Sequence, residues 1–313
     1  MNITYLDPLS KGWERMKKIL FRPFDLNKWF MLGFSAFLAD LLGGSFSYSN
    51  TLREKIDLHN YDITDGMRKA WEWLADNPLW FGLIASGSLL VIALLVLFNW
   101  LSSRGKFMFL DNVVHDTALI EAPWKEFRKE GNSLFLWRLV FGIIIFAGLL
   151  LLGILFFTTF SFGISEDFGL ELLFPVLWLI LLFLLWIVVV GYISLFLNDF
   201  VVPIMYRYRI STTAAWRRFL PLLKEHFWYF FLYGLFIFFI GIAVTIALII
   251  AALMTCCIGL LLLVIPYINS VALLPVTVTF RSLSLYFLEQ FGPDYRLFTE
   301  EAADAAVPGE IRE

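Results

Sequence analysis

Six long apolar runs constrain this chain more than any other feature of its sequence. Each is 18 to 26 residues long and nearly free of charged side chains. A helix needs about 20 apolar residues to cross a hydrocarbon core of roughly 30 Å with its backbone groups hydrogen-bonded internally, so each run predicts a transmembrane helix. The predicted fold is an all-α polytopic membrane bundle of six helices arranged as three hairpins. The predicted spans are 29–46, 79–101, 140–160, 172–195, 228–253 and 258–280.

The composition agrees with this interpretation. The chain is 60% hydrophobic and 16% charged, whereas a soluble domain is usually about 45 to 50% apolar and about 25% charged. The connections between the spans are too short for a separate soluble catalytic domain. We therefore predict one membrane domain over residues 1–298, followed by an acidic, disordered tail at 299–313.

The positions of lysine and arginine predict the orientation. The segments before span one, between spans two and three, between spans four and five, and after span six contain 20 of these residues, and the alternate connections contain 4. Short cytoplasmic loops carry the lysine and arginine excess of membrane proteins. The pattern predicts a multi-pass membrane protein with both termini in the cytoplasm.

Three of the basic segments resemble one another. In each, a tryptophan followed by charged residues precedes a second tryptophan at the start of a span. The pattern suggests an amphipathic cytoplasmic interfacial helix followed by a transmembrane hairpin, used three times. Basic and aromatic residues mark membrane boundaries in general, so the alternative without duplication stays open. The tryptophan pairs are Trp13 and Trp29, Trp124 and Trp137, and Trp216 and Trp228.

The first basic segment predicts a helix that lies flat in the headgroup layer. Asp7 followed by Pro8 is a typical helix start. The candidate contacts to anionic lipid share one helical face and are Lys11, Arg15, Lys18 and Arg22. Such a helix either recognises anionic lipid or simply anchors the first span, because each basic residue near an anionic surface contributes about 1 kcal/mol in both cases.

Asp40 is the one charged residue inside the six runs. An ionisable residue within a membrane is a candidate functional site. Its place in the run predicts a depth about two thirds of the way towards the outer face. It also flanks small residues at four-residue spacing, Ser35, Ala39 and Gly43, which is typical of close helix packing. A packing role and a functional role both remain possible interpretations, and the run offers no basic partner.

The sixth run contains two prolines, Pro266 and Pro275, on either side of Asn269 and Ser270. Proline removes a backbone hydrogen bond and favours a kink. Broken helices near the midplane form solute sites in many transporters, but prolines also bend helices around neighbours, and asparagine also joins helices. Together with Asp40, these four residues form the candidate intramembrane polar site.

Motifs for catalysis are lacking in the sequence. There is no HExxH, no phosphate-binding glycine loop and no GxSxG, and the three histidines lie outside the spans. Cys256 and Cys257 are adjacent, which does not suit a metal site and is typical of buried apolar packing. We expect no enzymatic activity, no cofactor and no metal.

Two stretches of sequence support a resemblance to a known family. The stretches FRPFDLNKW and TCCIGLLLLVIPYINSVALLPVTVTFRSLSLYFLEQFGPDY resemble those of an uncharacterised prokaryotic family of six-helix membrane proteins. More distantly, the layout is similar to the membrane domain of some glycerophosphodiester phosphodiesterases. The resemblance implies a six-helix bundle and no catalytic or ligand residues, and the phosphodiesterase barrel is missing here.

Together with the resemblance, the sequence favours a non-enzymatic protein of a prokaryotic cytoplasmic (inner) membrane that organises lipid or a partner membrane protein. The expected partners are membrane lipids, preferably anionic ones on the cytoplasmic side, and a second copy or another membrane protein, but no nucleic acid. The alternative is a small transporter or channel that uses Asp40 and the proline-broken sixth span.

Overall fold

The computed structural model describes residues 3–41, 63–164, 173–254 and 265–298, and all regular elements in these ranges are helical. The α-helices are α1 (Leu6–Phe21), α2 (Leu26–Ala39), α3 (Ile63–Asp76), α4 (Pro78–His115), α5 (Glu121–Glu126), α6 (Arg128–Ile164), α7 (Leu173–Phe196), α8 (Val202–Tyr208), α9 (Thr212–Glu225), α10 (Phe227–Met254), α11 (Pro266–Ala272) and α12 (Leu274–Glu289). A π-helix (Leu197–Val201) joins α7 to α8, and a short 3₁₀ helix (Pro293–Tyr295) follows α12.

Four helical stretches in the described part are long and apolar enough to cross a membrane. They are Pro78–His115, Arg128–Thr159, Phe174–Tyr208 and Phe227–Met254, which correspond to the second to fifth predicted spans. Their apolar portions expose leucine, isoleucine and phenylalanine side chains, the surface that a helix presents to lipid. The chain thus has the features of a multi-pass membrane protein.

The first and sixth predicted spans have a different form. Helix α2 has 14 residues, too few to cross a bilayer, and residues 42–46 of that run lie outside the described part. In the sixth run, α11 and α12 meet at a bend of 62°, so a kink near Pro275 is present. This bent pair counts as a fifth crossing if it is one broken span; the described residues do not establish a count of six.

The packed core lies at one end of the apolar helices. The C-terminal part of α4 is buried from Ser102 to Val114, and it packs against α2 and α6. Helix α1 runs along α12. Buried aromatic rings fill the space around the π-helix and include Phe107, Phe200, Phe219, Phe230 and Phe287. The basic segments between the apolar runs are therefore gathered into one core.

A helix in a basic segment precedes an apolar helix three times, as α1 and α2, α5 and α6, and α9 and α10. The second helix is the longer one in the last two pairs, whereas α1 and α2 have 16 and 14 residues. The apolar face of helix α1 packs against the rest of the protein. Met16, Ile19 and Leu20 are buried in a cluster with Phe109 and Leu274.

The predicted tail at 299–313 lies outside the described residues. Cys256 and Cys257 also lie outside them.

Candidate functional site

A group of polar side chains from six helical segments meets in the core, with Asp40 at its exposed edge. We call this group the polar centre and define it by Asp40, Ser102, Ser103, Lys106, Arg138, Asn198, Asp199, Tyr233 and Arg281. These residues come from the end of α2, from α4, α6 and α10, from the π-helix, and from α12. Buried charged groups are costly unless they are paired or hydrogen-bonded, so such a group is a candidate functional site.

Asn198 connects two of the cations. The Lys106 ammonium donates a hydrogen bond to Asn198 Oδ1. Arg281 Nη1 donates to the backbone carbonyl of Asn198 at 2.8 Å. Lys106 is 9% exposed, and it also lies within electrostatic reach of Arg138, Asp40 and Asp199. One residue of the π-helix therefore holds cations from α4 and α12 close together.

The other members of the polar centre bond to hydroxyl groups. Arg138 Nη1 donates to Ser102 Oγ at 3.0 Å and to Ser103 Oγ at 3.3 Å. The Tyr233 hydroxyl donates to Asp199 Oδ2 at 2.9 Å. These contacts satisfy part of the hydrogen-bonding capacity of each charged group.

The π-helix determines which side chains face the centre. A π-helix has a wider turn than an α-helix and is often found at functional sites. In this protein it covers Leu197–Val201 and places Asn198 and Asp199 opposite residues of three other helices, α4, α10 and α12. Pro203 is the second residue of α8, the helix that follows, and in the first turn of a helix the missing N–H of proline is tolerated.

Asp40 lies at the end of α2, near two basic side chains. It caps α2, and Ser102 Oγ donates to the carbonyl of the preceding residue, Ala39, at 2.9 Å. Asp40 interacts electrostatically with Lys106 and Arg138. Asp40 thus has basic neighbours that the predicted spans did not offer, because α2 runs beside the basic C-terminal part of α4.

Helix α11, which begins at Pro266 of the candidate intramembrane site, packs against α2. Trp29 Nε1 donates to the carbonyl of Val271 at 3.0 Å, and the Tyr267 hydroxyl donates to the carbonyl of Phe30 at 3.0 Å. Ser270 donates to the carbonyl of Pro266 within α11. Asn269 Oδ1 is buried without a hydrogen-bond partner.

A groove with several cations lies along α1, and we call it the basic groove. It is lined by Ser10, Lys11, Glu14, Arg15, Lys18, Arg22 and Tyr286. All four predicted lipid contacts are thus brought to one groove. Lys11, Lys18 and Arg22 are exposed there, and Lys11 Nζ lies 5.9 Å from the centre of the Tyr286 ring.

Arg15 has an additional role. It is 3% exposed, and its Nη2 donates to the carbonyls of Val113 and Val114 at 3.3 and 2.7 Å. Its guanidinium also lies 4.5 Å from the centre of the Phe298 ring, and Nε is buried without a partner. Arg15 therefore fixes α1 to the end of α4.

Exposed apolar side chains lie next to the basic groove in the chain. We call these residues the aromatic edge and define it by Phe21, Phe24, Leu26, Phe30 and Met31. Phe21 and Phe24 both contact Trp29 through their rings, at 5.3 and 5.6 Å between centroids. Cations beside exposed aromatic rings are typical of protein surfaces that bind to a membrane interface.

Residues 3–291 match the model of a family of unknown function, DUF7544. The chain belongs to this family. The match agrees with the predicted resemblance to an uncharacterised family and gives no link to the phosphodiesterases. No curated protein and no solved structure matches the chain significantly.

The sequence did not point to most of the polar centre. Lys106, Arg138 and Arg281 lie just outside the predicted spans, where basic residues are expected from topology alone. One signal was present: Arg138 is two residues before a predicted span, and Arg281 is one residue after one. Among the described residues, no group of three histidine, cysteine or acidic residues is placed to hold a metal ion.

Proposed function

We propose that this member of DUF7544 is a non-enzymatic protein of a prokaryotic cytoplasmic membrane that binds and organises anionic lipid. The basic groove holds the headgroup and the aromatic edge contacts the acyl chains. The observation that carries the proposal is the neighbourhood of three exposed cations, Lys11, Lys18 and Arg22, and the exposed rings of Phe21 and Phe24.

The rigid attachment of α1 supports the proposal. Arg15 bonds to α4, and Gly12 packs so closely on α12 that an added Cβ would lie 3.0 Å from the carbonyl oxygen of Thr279. A fixed helix presents its cations in one arrangement and loses little entropy when lipid binds. A helix that merely anchors the chain does not require this attachment.

The gathering of the basic segments into one core supports the proposed orientation. The residues before α2, after the apolar part of α4, after α7 and after α11 pack together. Segments that pack in one core lie on the same side of a membrane, and their lysine and arginine content favours the cytoplasmic side. A second copy or another membrane protein remains the proposed partner besides lipid.

Lipid retention in native mass spectrometry tests the proposal. The triple variant Lys11→Gln, Lys18→Gln and Arg22→Gln should lose up to about 3 kcal/mol of attraction to anionic lipid, less at high salt. The matched control removes the same charge from exposed positions elsewhere, through Lys129→Gln, Arg217→Gln and Lys224→Gln. Preferential loss of phosphatidylglycerol over phosphatidylcholine in the first variant supports the groove. Equal retention in both variants, or equal loss, contradicts it.

A second candidate function is transport by a small transporter or channel. It is favoured by the buried Asn269 Oδ1 without a partner beside the 62° bend, together with Asp40 near two cations. Flux of ions or protons into proteoliposomes, measured for the parent, Asp40→Asn and Asn269→Ala, tests this function. Flux that both substitutions abolish would favour transport, and no flux above empty liposomes would count against it.

A further inference from the structure

We propose that the polar centre is a binding site for a phosphate group, separate from the basic groove. Lys106 and Arg281 both bond to Asn198, and Arg138 and the carboxylates of Asp40 and Asp199 lie within electrostatic reach of Lys106. The formal charge of these five groups is +1. Cations held close together repel one another, so an anion that binds among them is stabilised by the whole group.

The hydrogen bonds of the centre leave donors for such an anion. A guanidinium has five N–H donors. The described residues use one nitrogen of Arg281, on the Asn198 carbonyl, and one nitrogen of Arg138, on the hydroxyls of Ser102 and Ser103. These acceptors are neutral. A phosphate oxygen accepts stronger, charge-assisted hydrogen bonds than neutral amide or hydroxyl oxygens, and the planar fork of arginine fits two phosphate oxygens at once.

The two carboxylates are compatible with this role. Asp199 is held by the Tyr233 hydroxyl, and Asp40 is attached to the end of α2. The two carboxylates reduce the positive charge of the polar centre without cancelling it. The serine hydroxyls can also donate to an anion, since a hydroxyl accepts and donates at the same time. Arginine, lysine and hydroxyl donors from different helices therefore converge on one place.

The position of the centre suits the headgroup of a membrane lipid as well as free phosphate. Arg138 precedes Val140, from which the exposed apolar side chains of α6 continue to Phe156. On α4, Ser102, which Arg138 contacts, lies four residues after the exposed Phe98, about 6 Å along a helix. The headgroup layer is roughly 5 to 8 Å thick on each side of the hydrocarbon core. The centre thus lies near the end of the apolar surface, where lipid phosphates are found.

The test uses the full-length protein in detergent free of phospholipid, with two probes. In one arm, inorganic phosphate is titrated and followed by ³¹P NMR. In the other, phosphatidic acid is added and counted by native mass spectrometry. The variants are Arg281→Gln, Arg138→Gln and, as a matched control, the exposed Arg217→Gln. Binding in the first arm identifies free phosphate as a ligand, and binding confined to the second identifies a lipid phosphate.

We expect the affinity for the probe that binds to fall about tenfold or more in Arg281→Gln and Arg138→Gln, the usual loss for one charge-assisted hydrogen bond. It should stay unchanged in Arg217→Gln and in the triple variant of the basic groove, which separates this proposal from the proposed function. Lack of binding in both arms, or equal affinity of the parent and both centre variants, would overturn it.

If Arg281→Gln does not fold, Arg281→Lys takes its place. This variant keeps the charge but loses the planar fork that grips two phosphate oxygens, so phosphate affinity should still fall. Unchanged affinity in a folded Arg281→Lys would show that Arg281 does not contact the anion, and that outcome also overturns the proposal.

Discussion

Lys28 Nζ and Asp116 Oδ1 form an ion pair at 2.8 Å between the first turn of α2 and the end of α4. Both side chains are partly buried, at 17% and 24% exposure. Asp116 has the left-handed backbone conformation, with φ of 56°, that ends α4. The pair therefore determines where α2 begins relative to the last turn of α4, while the contact between Ser102 and Ala39 determines where it ends.

Lys28→Gln should lower the free energy of unfolding by about 1 kcal/mol, the upper end for exposed pairs, because this pair is partly shielded from water. Thermal unfolding in detergent measures the change. The control is Lys125→Gln, whose partner Glu121 is on the same short helix and well exposed, and it should change stability by less than about 0.5 kcal/mol. Equal effects would show that burial does not strengthen the pair.

Gly105→Ala should be strongly destabilising, by about 1 to 3 kcal/mol. An added Cβ would lie 2.7 Å from the backbone nitrogen of Ala39 and from the carbonyl carbon of Leu38, and backbone atoms cannot turn away as a side chain can. Gly87→Ala is the control, because no atom lies within 4 Å of its Cβ position. It should leave the melting temperature unchanged or raise it. A tolerated Gly105→Ala would mean that α2 and α4 can separate.

Arg15→Gln should cost about 2 kcal/mol, because the carbonyls of Val113 and Val114 lose a charged donor. Arg22→Gln, at the exposed residue that follows the same helix, should cost less than about 0.5 kcal/mol. Limited proteolysis gives the second reading: α1 should be cleaved faster in Arg15→Gln alone. If both variants are equally stable, Arg15 does not attach α1 to the core.

The raised pKa values of two tyrosines predict that the protein loses stability at alkaline pH. Burial, and then the neighbouring Tyr229, raises the pKa of Tyr5 above its ordinary value of 10.0. Burial, and then Tyr208 and Asp294, likewise raises the pKa of Tyr295. A raised tyrosine pKa means that the fold favours the neutral hydroxyl. The stabilisation is complete below about pH 10 and declines as the pH rises through the raised value.

Tyr5→Phe removes the hydrogen bond to the Tyr229 carbonyl and should cost about 1 kcal/mol at neutral pH. Its stability should then fall less steeply than that of the parent between pH 10 and pH 11, a range set by the ordinary pKa. Chemical unfolding at a series of pH values measures both effects. Parallel curves for the two proteins would show that Tyr5 does not titrate with unfolding.

Thiol labelling tests the predicted topology. In a background in which Cys256 and Cys257 are replaced by alanine, Asn50→Cys and Asp167→Cys should react with an impermeant reagent in intact cells. Lys17→Cys should react only after permeabilisation. Labelling at Asp167 without labelling at Asn50 would mean that the segment containing α2 does not cross, and labelling of Lys17→Cys in intact cells would reverse the orientation.

The sequence predicted the long apolar helices because their runs are uniform and exceed the bilayer thickness. The sequence could not show that α2 ends at Ala39, because an apolar run has the same composition whether its side chains contact lipid or another helix. The bend after Leu273 was expected from Pro275. The sequence did not indicate that Lys106 and Arg138 interact with Asp40, because the three residues come from segments that are far apart in the chain. The four cations of the basic groove followed from helical spacing, but the inward bonds of Arg15 did not.

The π-helix at Leu197–Val201 has a consequence for how the chain can vary. A wider turn of this kind holds one more residue than the α-helical turn that it replaces. Removing one residue within it would let the helix run on as a regular α-helix and rotate everything on one side by about 100°. Asn198 would then turn away from Lys106 even though no side chain had been substituted. Family members that differ in length by one residue at this position would therefore have a rearranged interior. Family members of the same length can exchange residues here and keep the same interior arrangement.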